Sequence, residues 1–139
     1  MALDSDLNTW LSAFLGRHGA VAGSVHVLRG DLLSLAAAVN IPPKVQEITA
    51  TIPRGKGMAG LAWEQDRPIS TCNLKEDSSG AVRPGAKAVD ARAAVAFPVH
   101  RGDALAVVGA AWADERDLPD SELARMASDI ADFPWPSER

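Results

Sequence analysis

The stretch Ile52-Pro53-Arg54-Gly55-Lys56-Gly57-Met58-Ala59-Gly60-Leu61-Ala62 decides how this chain is read. A proline with fixed φ and closely spaced glycines make a turn, so the segment starts as a loop. Met58 to Gln65 then reads as a short helix. Free N–H groups at a helix start favour phosphate or carboxylate, and two cations, Arg54 and Lys56, flank these glycines. The spacing is not that of a Gly-x4-Gly-Lys-Ser/Thr phosphate loop. Gly55, Gly57 and Gly60 also follow no parallel-strand pattern, as a dinucleotide fingerprint would require. The other reading is steric: Gly57 and Gly60 let the helix pack closely on a sheet.

Upstream of the loop, Leu3, Leu7, Trp10, Leu11, Phe14 and Leu15 form one apolar stripe at helical spacing. Asp4, Ser5 and Asp6 suit its positive end, and Gly16 and Gly19 end it. Val21 to Val27 and Leu32 to Asn40 read as two strands joined by the turn Arg29-Gly30-Asp31. Pro42-Pro43 breaks the second strand, and Lys44 to Thr49 is a short helix or an irregular connector. Downstream, Pro68-Ile69-Ser70-Thr71 is a short strand. Residues 72–90 form a long polar loop, a kind that is usually functional or mobile. Ala91 to Val99 and Ala104 to Ala113 are two apolar strands, and Asp120 to Phe133 is a closing helix capped by Asp120 or Ser121. Residues 134–139 read as a frayed tail. Adjacent strands joined by short turns imply an antiparallel sheet with helices packed on one face, an α+β sandwich.

Composition limits the chemistry. The chain has 139 residues, which predicts one domain, with a core over about residues 5–133. A net charge of −4 gives no global footprint for nucleic acid. One cysteine cannot close an internal disulfide, and the absence of tyrosine removes any phenolic acid or nucleophile. Alanine supplies 25 residues, so the core has thin walls. The acidic start has no basic n-region of a secretory signal, and no apolar run approaches the ~18 residues of a membrane span. A cytoplasmic protein is expected, with Cys72 reduced. Residues 44–101 hold 9 basic and 6 acidic groups, so the middle of the chain is mildly cationic, as a segment facing an anionic ligand would be.

Few residues point to catalysis. Cys72 follows a strand with Lys75 three residues on, a weak arrangement for lowering a thiol pKa. Most lone cysteines are inert. His18, His26 and His100 are too scattered for a metal site, and there is no Gly-x-Ser-x-Gly or His-Glu-x-x-His motif. Asp114, Glu115 and Asp117 form a carboxylate run of the kind that enters solvent. Trp63 and Trp112 read as core residues or, if the sheet and short helix enclose a cavity, as its stacking walls.

The order of these segments resembles the GAF domain family, which is related to PAS domains. Ile52-Pro53-x-Gly55-x-Gly57-Met58-Ala59-Gly60-Leu61-Ala62 resembles the family's proline-glycine loop entering a helix. Pro68-Ile69 resembles its third strand, Ala93 to Val99 its fourth with a terminal proline, Val107-Val108-Gly109-Ala110 its fifth, and Asp120 to Ala124 its last helix. The resemblance covers about residues 5–133. It implies an antiparallel sheet of five to six strands in the order 2-1-5-4-3, with terminal helices on one face. The pocket it implies on the other face is roofed by the short helix and the loop before the fourth strand.

Specialised branches of the family leave gaps here. Free methionine-(R)-sulfoxide reductases use several cysteines. Here the matching positions are Ala59 and, near the fourth strand, Ala88 and Val89. Two carboxylate positions of the fifth strand fall on Trp112 and Asp114. The Asn-Lys-Phe-Asp-Glu pattern of cyclic-nucleotide binders is missing, and nothing compels haem or bilin. The expected function is therefore that of a stand-alone, small-molecule-binding sensory or regulatory module acting through a separate effector protein, with the cofactor unknown and no metal, nucleic acid or membrane. Candidate ligand contacts are Arg54, Lys56, Trp63, Cys72, Asn73, Asp77 and Trp112, and no residue is assigned a catalytic role. Leu3, Leu7, Trp10, Leu11 and Phe14 are the candidate surface of a homodimer through the terminal helices. The alternatives are thiol-dependent redox chemistry at Cys72, or a docking module without a ligand.

Overall fold

The computed structural model describes residues 3–71 and 92–136. Helix α1 (Ser5–Arg17) starts where the Asp4 carboxylate accepts from the amides of Asp6 and Leu7, at 2.9 and 3.1 Å. This satisfies two of the four N–H groups that a helix start leaves free. Strands β1 (Ala22–Arg29) and β2 (Leu32–Val39) follow as an antiparallel hairpin. Helix α2 (Pro43–Ile48), strand β3 (Thr51–Ile52), helix α3 (Gly57–Gln65) and strand β4 (Ile69–Thr71) come next. Strands β5 (Ala93–Arg101) and β6 (Ala104–Trp112) form a second hairpin, and α4 (Asp120–Asp129) closes the chain. The sequence reading ran this last helix to Phe133. It instead tightens into a 3-10 turn over Ile130–Asp132, a common way for a helix end to bond its last carbonyls. Its N-cap is Pro119, whose carbonyl accepts from Glu122 and Leu123, and not Asp120 or Ser121.

The sheet runs β3-β2-β1-β6-β5-β4, and its hydrogen-bonded neighbours are antiparallel. Setting β3 aside leaves the implied order of five. Two residues are too few to show alternation, so β3 reads in the sequence only as the run-in to the glycine loop. In β1 and β2, Val25 faces Ala37 while His26 faces Leu35, so Ala36 is a bulge. The Ala36 carbonyl accepts the Asp4 N–H at 2.7 Å, which ties the bulge to the start of α1. Further along β2, Asn8 exchanges two hydrogen bonds with the backbone of Ala38, at 3.1 and 3.0 Å, and so takes the place of a neighbouring strand there.

Alternation divides the side chains between two layers. On one face Val25, Val27, Val95, Phe97, Val108 and Trp112 pack with α1 and with Met126, Ile130 and Phe133. On the other, Leu33, Ile52, Ile69, Ala96, Leu105 and Val107 pack with Ala62 of α3. The apolar stripe on α1 belongs to the first layer. Leu7, Leu11 and Phe14 are 0% exposed, so the side chains expected at a dimer surface are the protomer's own core. Trp10 is half-buried, stacked on Phe14 and edge-on to Phe133, with its indole N–H donated to Asp132. Leu3 lies ahead of the helix, half-buried.

The segment read as a frayed tail is also engaged: Trp135 packs edge-on to Phe133 and against the same core. Residues 137–139 lie outside the described residues. Among the described residues, no helix is long and apolar enough to cross a membrane.

Leu11→Ala is expected to cost about 2–5 kcal/mol in urea unfolding, the range for emptying a sealed core position. A cost under about 1 kcal/mol, typical of surface sites, would show that the stripe is not core.

Candidate functional site

A cavity of about 150 Å³ lies between the second sheet face and helices α2 and α3. Ala94, Ala96, Gly109 and Ala111 form its floor, and Val45, Met58 and Ala59 wall it. An apolar cavity of this size accommodates a molecule of about one aromatic ring. A second hollow of about 370 Å³ lies between the end of β5 and α4. Its charged and polar side chains, Asp66, Arg67 and His100, are solvent-exposed, and Asp66 and His100 bond to each other at 2.6 Å. The first cavity is lined by the buried His26 and the half-buried Ser24 and is the candidate site.

The glycine loop sets α3 over this cavity. The Gly55 N–H donates to the Gly60 carbonyl at 2.9 Å, and the Lys56 N–H to the Pro53 carbonyl at 3.2 Å. A Cβ on Gly60 would lie 2.6 Å from the Pro53 oxygen, so only glycine permits the loop to fold onto its own helix. The sequence reading had Gly60 admit the sheet; the close neighbours of Gly60 are instead the backbone of Pro53 and Gly55, so its glycine serves contact between the loop and its own helix. The amides of Gly55 and Lys56 are used internally and are not offered to an anion.

Two polar side chains project from β1 on the cavity side. Ser24 and His26 are two residues apart and so share a face. His26 is 3% exposed, and its Nε2–H donates to the Thr49 carbonyl at 2.8 Å. Burial pushes its pKa below the ordinary 6.5, and the Thr49 bond opposes that only in part. The ring is therefore neutral, with its proton on Nε2 and a lone pair on Nδ1. That Nδ1 is buried and has no hydrogen-bond partner. Buried polar atoms nearly always have one, which marks this nitrogen for explanation.

The residues singled out from the sequence lie elsewhere. Arg54 and Lys56 are exposed, and neither lines the cavity. The Arg54 guanidinium sits 5.8 Å from the ring centre of Trp63, which is half-buried against the second core layer. Trp112 is on the other face of the sheet, 3% exposed, with its indole N–H donated to the His18 carbonyl at 2.9 Å. Arg116 covers its ring at 4.8 Å and pairs with Glu122. Cys72, Asn73 and Asp77 lie outside the described residues, as do the rest of the predicted long loop, Ala88 and Val89. The sequence reading missed Ser24 and His26. Their signal was alternation: they occupy the parity opposite to the core residues Val25 and Val27.

Comparison with known proteins agrees with this architecture. A family model for the GAF domain matches residues 7–132, and the chain belongs to that family. No curated protein matches the chain. Among solved structures, it is similar to a type II free methionine-R-sulfoxide reductase from Thermoplasma acidophilum, with TM-score 0.71 and 17% identity over 93% of this chain and 86% of that one. It is also similar to the GAF domain of a phosphoenolpyruvate-protein phosphotransferase from Coxiella burnetii, with TM-score 0.69 and 19% identity over 91% and 81% of the two chains. A free methionine-R-sulfoxide reductase from Neisseria meningitidis, solved with its substrate, gives TM-score 0.70 and 15% identity over 91% and 74%. At these identities the likeness is one of fold.

Two outcomes are expected. Gly60→Ala should destabilise the fold by about 1–3 kcal/mol, the cost of overpacking against a fixed backbone; unchanged denaturant melts would show that the loop can open without cost. The second concerns pH. Below about pH 6.5 the unfolded chain protonates His26 while the folded chain resists, so its contribution is complete above that pH and is lost as pH falls. His26→Leu should therefore show a flatter fall in Tm than the parent between about pH 7.5 and 5. Parallel slopes would mean that His26 titrates alike in both states.

Proposed function

We propose that this chain is a sensory or regulatory GAF domain that binds a small molecule in the cavity between the sheet and α3, and that signals by association with a partner protein. One observation carries the reading. A helix and a sheet face normally close on each other at crystal-like density. Here small residues, Ala59, Ala94, Ala96, Gly109 and Ala111, leave about 150 Å³ between them. A cavity walled by small side chains with a few convergent polar groups is the usual form of a ligand site. The binding face is assigned to β1, β5, β6 and the first turn of α3, and not to Arg54, Lys56, Trp63 or Trp112. Among the described residues, no side chain lining this cavity carries a thiol, and Ala59 stands where the resemblance to the reductases implies a cysteine.

Native mass spectrometry and a thermal-shift screen of metabolites test the proposal. Binding by at least one compound is expected. Ala59→Leu, which places a larger side chain in the cavity wall, should abolish that binding with a change in stability of at most about 2 kcal/mol. Binding that survives Ala59→Leu would place the site elsewhere. A screen with no binder at all would leave the ligand-free docking module as the reading.

A further inference from the structure

A ligand bound between the sheet and α3 has to cross a wall of the cavity, and the wall formed by α2 is thin. Ile41, Val45 and Thr49 line the cavity from this segment. On its outer side Pro43, Lys44, Glu47 and Ile48 are exposed to solvent. One short helix therefore separates this side of the cavity from water. The segment is braced within itself. The Gln46 side-chain N–H donates to the Ile41 carbonyl at 2.9 Å, and the Thr49 hydroxyl to the Val45 carbonyl at 2.8 Å. Its ties to the sheet stand at its two ends. At one end the Asn40 side-chain N–H donates to the Val21 carbonyl at 2.8 Å. At the other, the Thr49 carbonyl accepts from His26 Nε2 at 2.8 Å and the Ala50 carbonyl from the Leu35 N–H at 2.9 Å. Among the described residues, the hydrogen bonds of residues 41–48 stay within 41–50. Val45 is the buried side chain of α2, seated beside Ala22. Asn40 has φ +56°, a left-handed turn of the chain at the point where the segment leaves β2. The facing wall is built differently: the loop bonds of Gly55 and Lys56 fasten α3, and strands β1, β6 and β5 lie inside the sheet.

Resting on the sensory reading above, we propose that α2 is the gate of the cavity. Residues 41–48 lift outward as one piece, Val45 leaves Ala22, and the bond between Thr49 and His26 breaks. A ligand passes beneath the raised helix, and Val45 reseats behind it. The ties at Asn40 and Thr49 set how often the gate opens, while the sheet and α3 keep the shape of the site. Local opening of this kind needs far less than unfolding of the whole chain, because few buried contacts are lost.

Xenon is the probe, because it asks a cavity of this size only for space. Exchange NMR of xenon on the full chain gives its entry and exit rates. Hydrogen exchange of the Gln46 and Thr49 amides, which bond to the Pro42 and Val45 carbonyls, gives the opening of α2. Asn40→Gly tests the link, since glycine accepts the left-handed backbone while the tie to Val21 is lost. Both amide exchange and xenon exchange should rise about fivefold, the factor for one hydrogen bond. Xenon affinity should hold, because a gate speeds entry and exit alike. Asn8→Ala, which removes the bonds between α1 and Ala38, should leave both rates as they are. If Asn40→Gly does not fold, Val45→Ala takes its place and should raise both rates by loosening the seat on Ala22. Xenon exchange that ignores faster opening of α2 would overturn the gate. So would α2 amides that exchange only with the whole chain, or a parent chain that takes up no xenon. A screened compound that binds and is blocked by Ala59→Leu, while xenon exchange ignores Asn40→Gly, removes the gate and leaves the sensory reading standing. Xenon gated by α2, with no binder in the screen, does the reverse.

Discussion

How closely α3 approaches the sheet governs everything on the cavity side, and a few backbone contacts set that approach. Gly55 and Gly60 bond across the loop, Lys56 bonds Pro53, and the missing Cβ of Gly60 lets these peptides come together. The loop is thereby fastened to its own helix. The Gly55 and Lys56 amides are consumed in this fastening, and the lysine and arginine of the loop lie at the surface. The positive charge that draws the eye in the sequence belongs to a structural loop. The helix it supports spans alanines and a glycine, and the gap beneath it follows from their size.

Much of the fold was legible because strong periodicities wrote it. The stripe of α1, the two hairpins and the short helix after the glycines each have one clear repeat, and their order gave the family. What escaped was too short or too local to repeat. Strand β3 has two residues, and the last turn of α4 changes pitch where no residue type marks it. The docking of Trp135 is a tertiary event, since it rests edge-on against Phe133, which itself packs edge-on against Trp10. The polar termini of a chain do not reveal such docking.

The site was less legible, for a different reason. Arg54, Lys56, Trp63 and Trp112 attracted the sequence reading, and in this protein they pack or meet solvent. Strand parity offered a better guide. Trp112 shares parity with Val108 and Ala110, which places it among the helices, away from the cavity. Ser24 and His26 alternate with Val25 and Val27, which places them on the cavity side once both faces are known to be covered. A polar pair on a covered face is a small signal beside a tryptophan. Burial lowers the pKa of His26, and the Thr49 carbonyl takes its Nε2 proton, which leaves Nδ1 without one. The alanines have a similar history. Their number suggested a thin core, and their positions on β5, β6 and α3 place the thinness at one spot.

The bulge at Ala36 has a consequence of another kind. Ahead of it, Leu33 and Leu35 point toward the cavity layer; beyond it, Ala37 joins the layer of α1. These residues are all odd-numbered, and only the extra residue lets them divide between two faces. Loss of a single codon at this point would exchange inside for outside along half the strand and remove the carbonyl that holds Asp4. No substitution in the hairpin has that reach, so this strand can drift in composition but not in length.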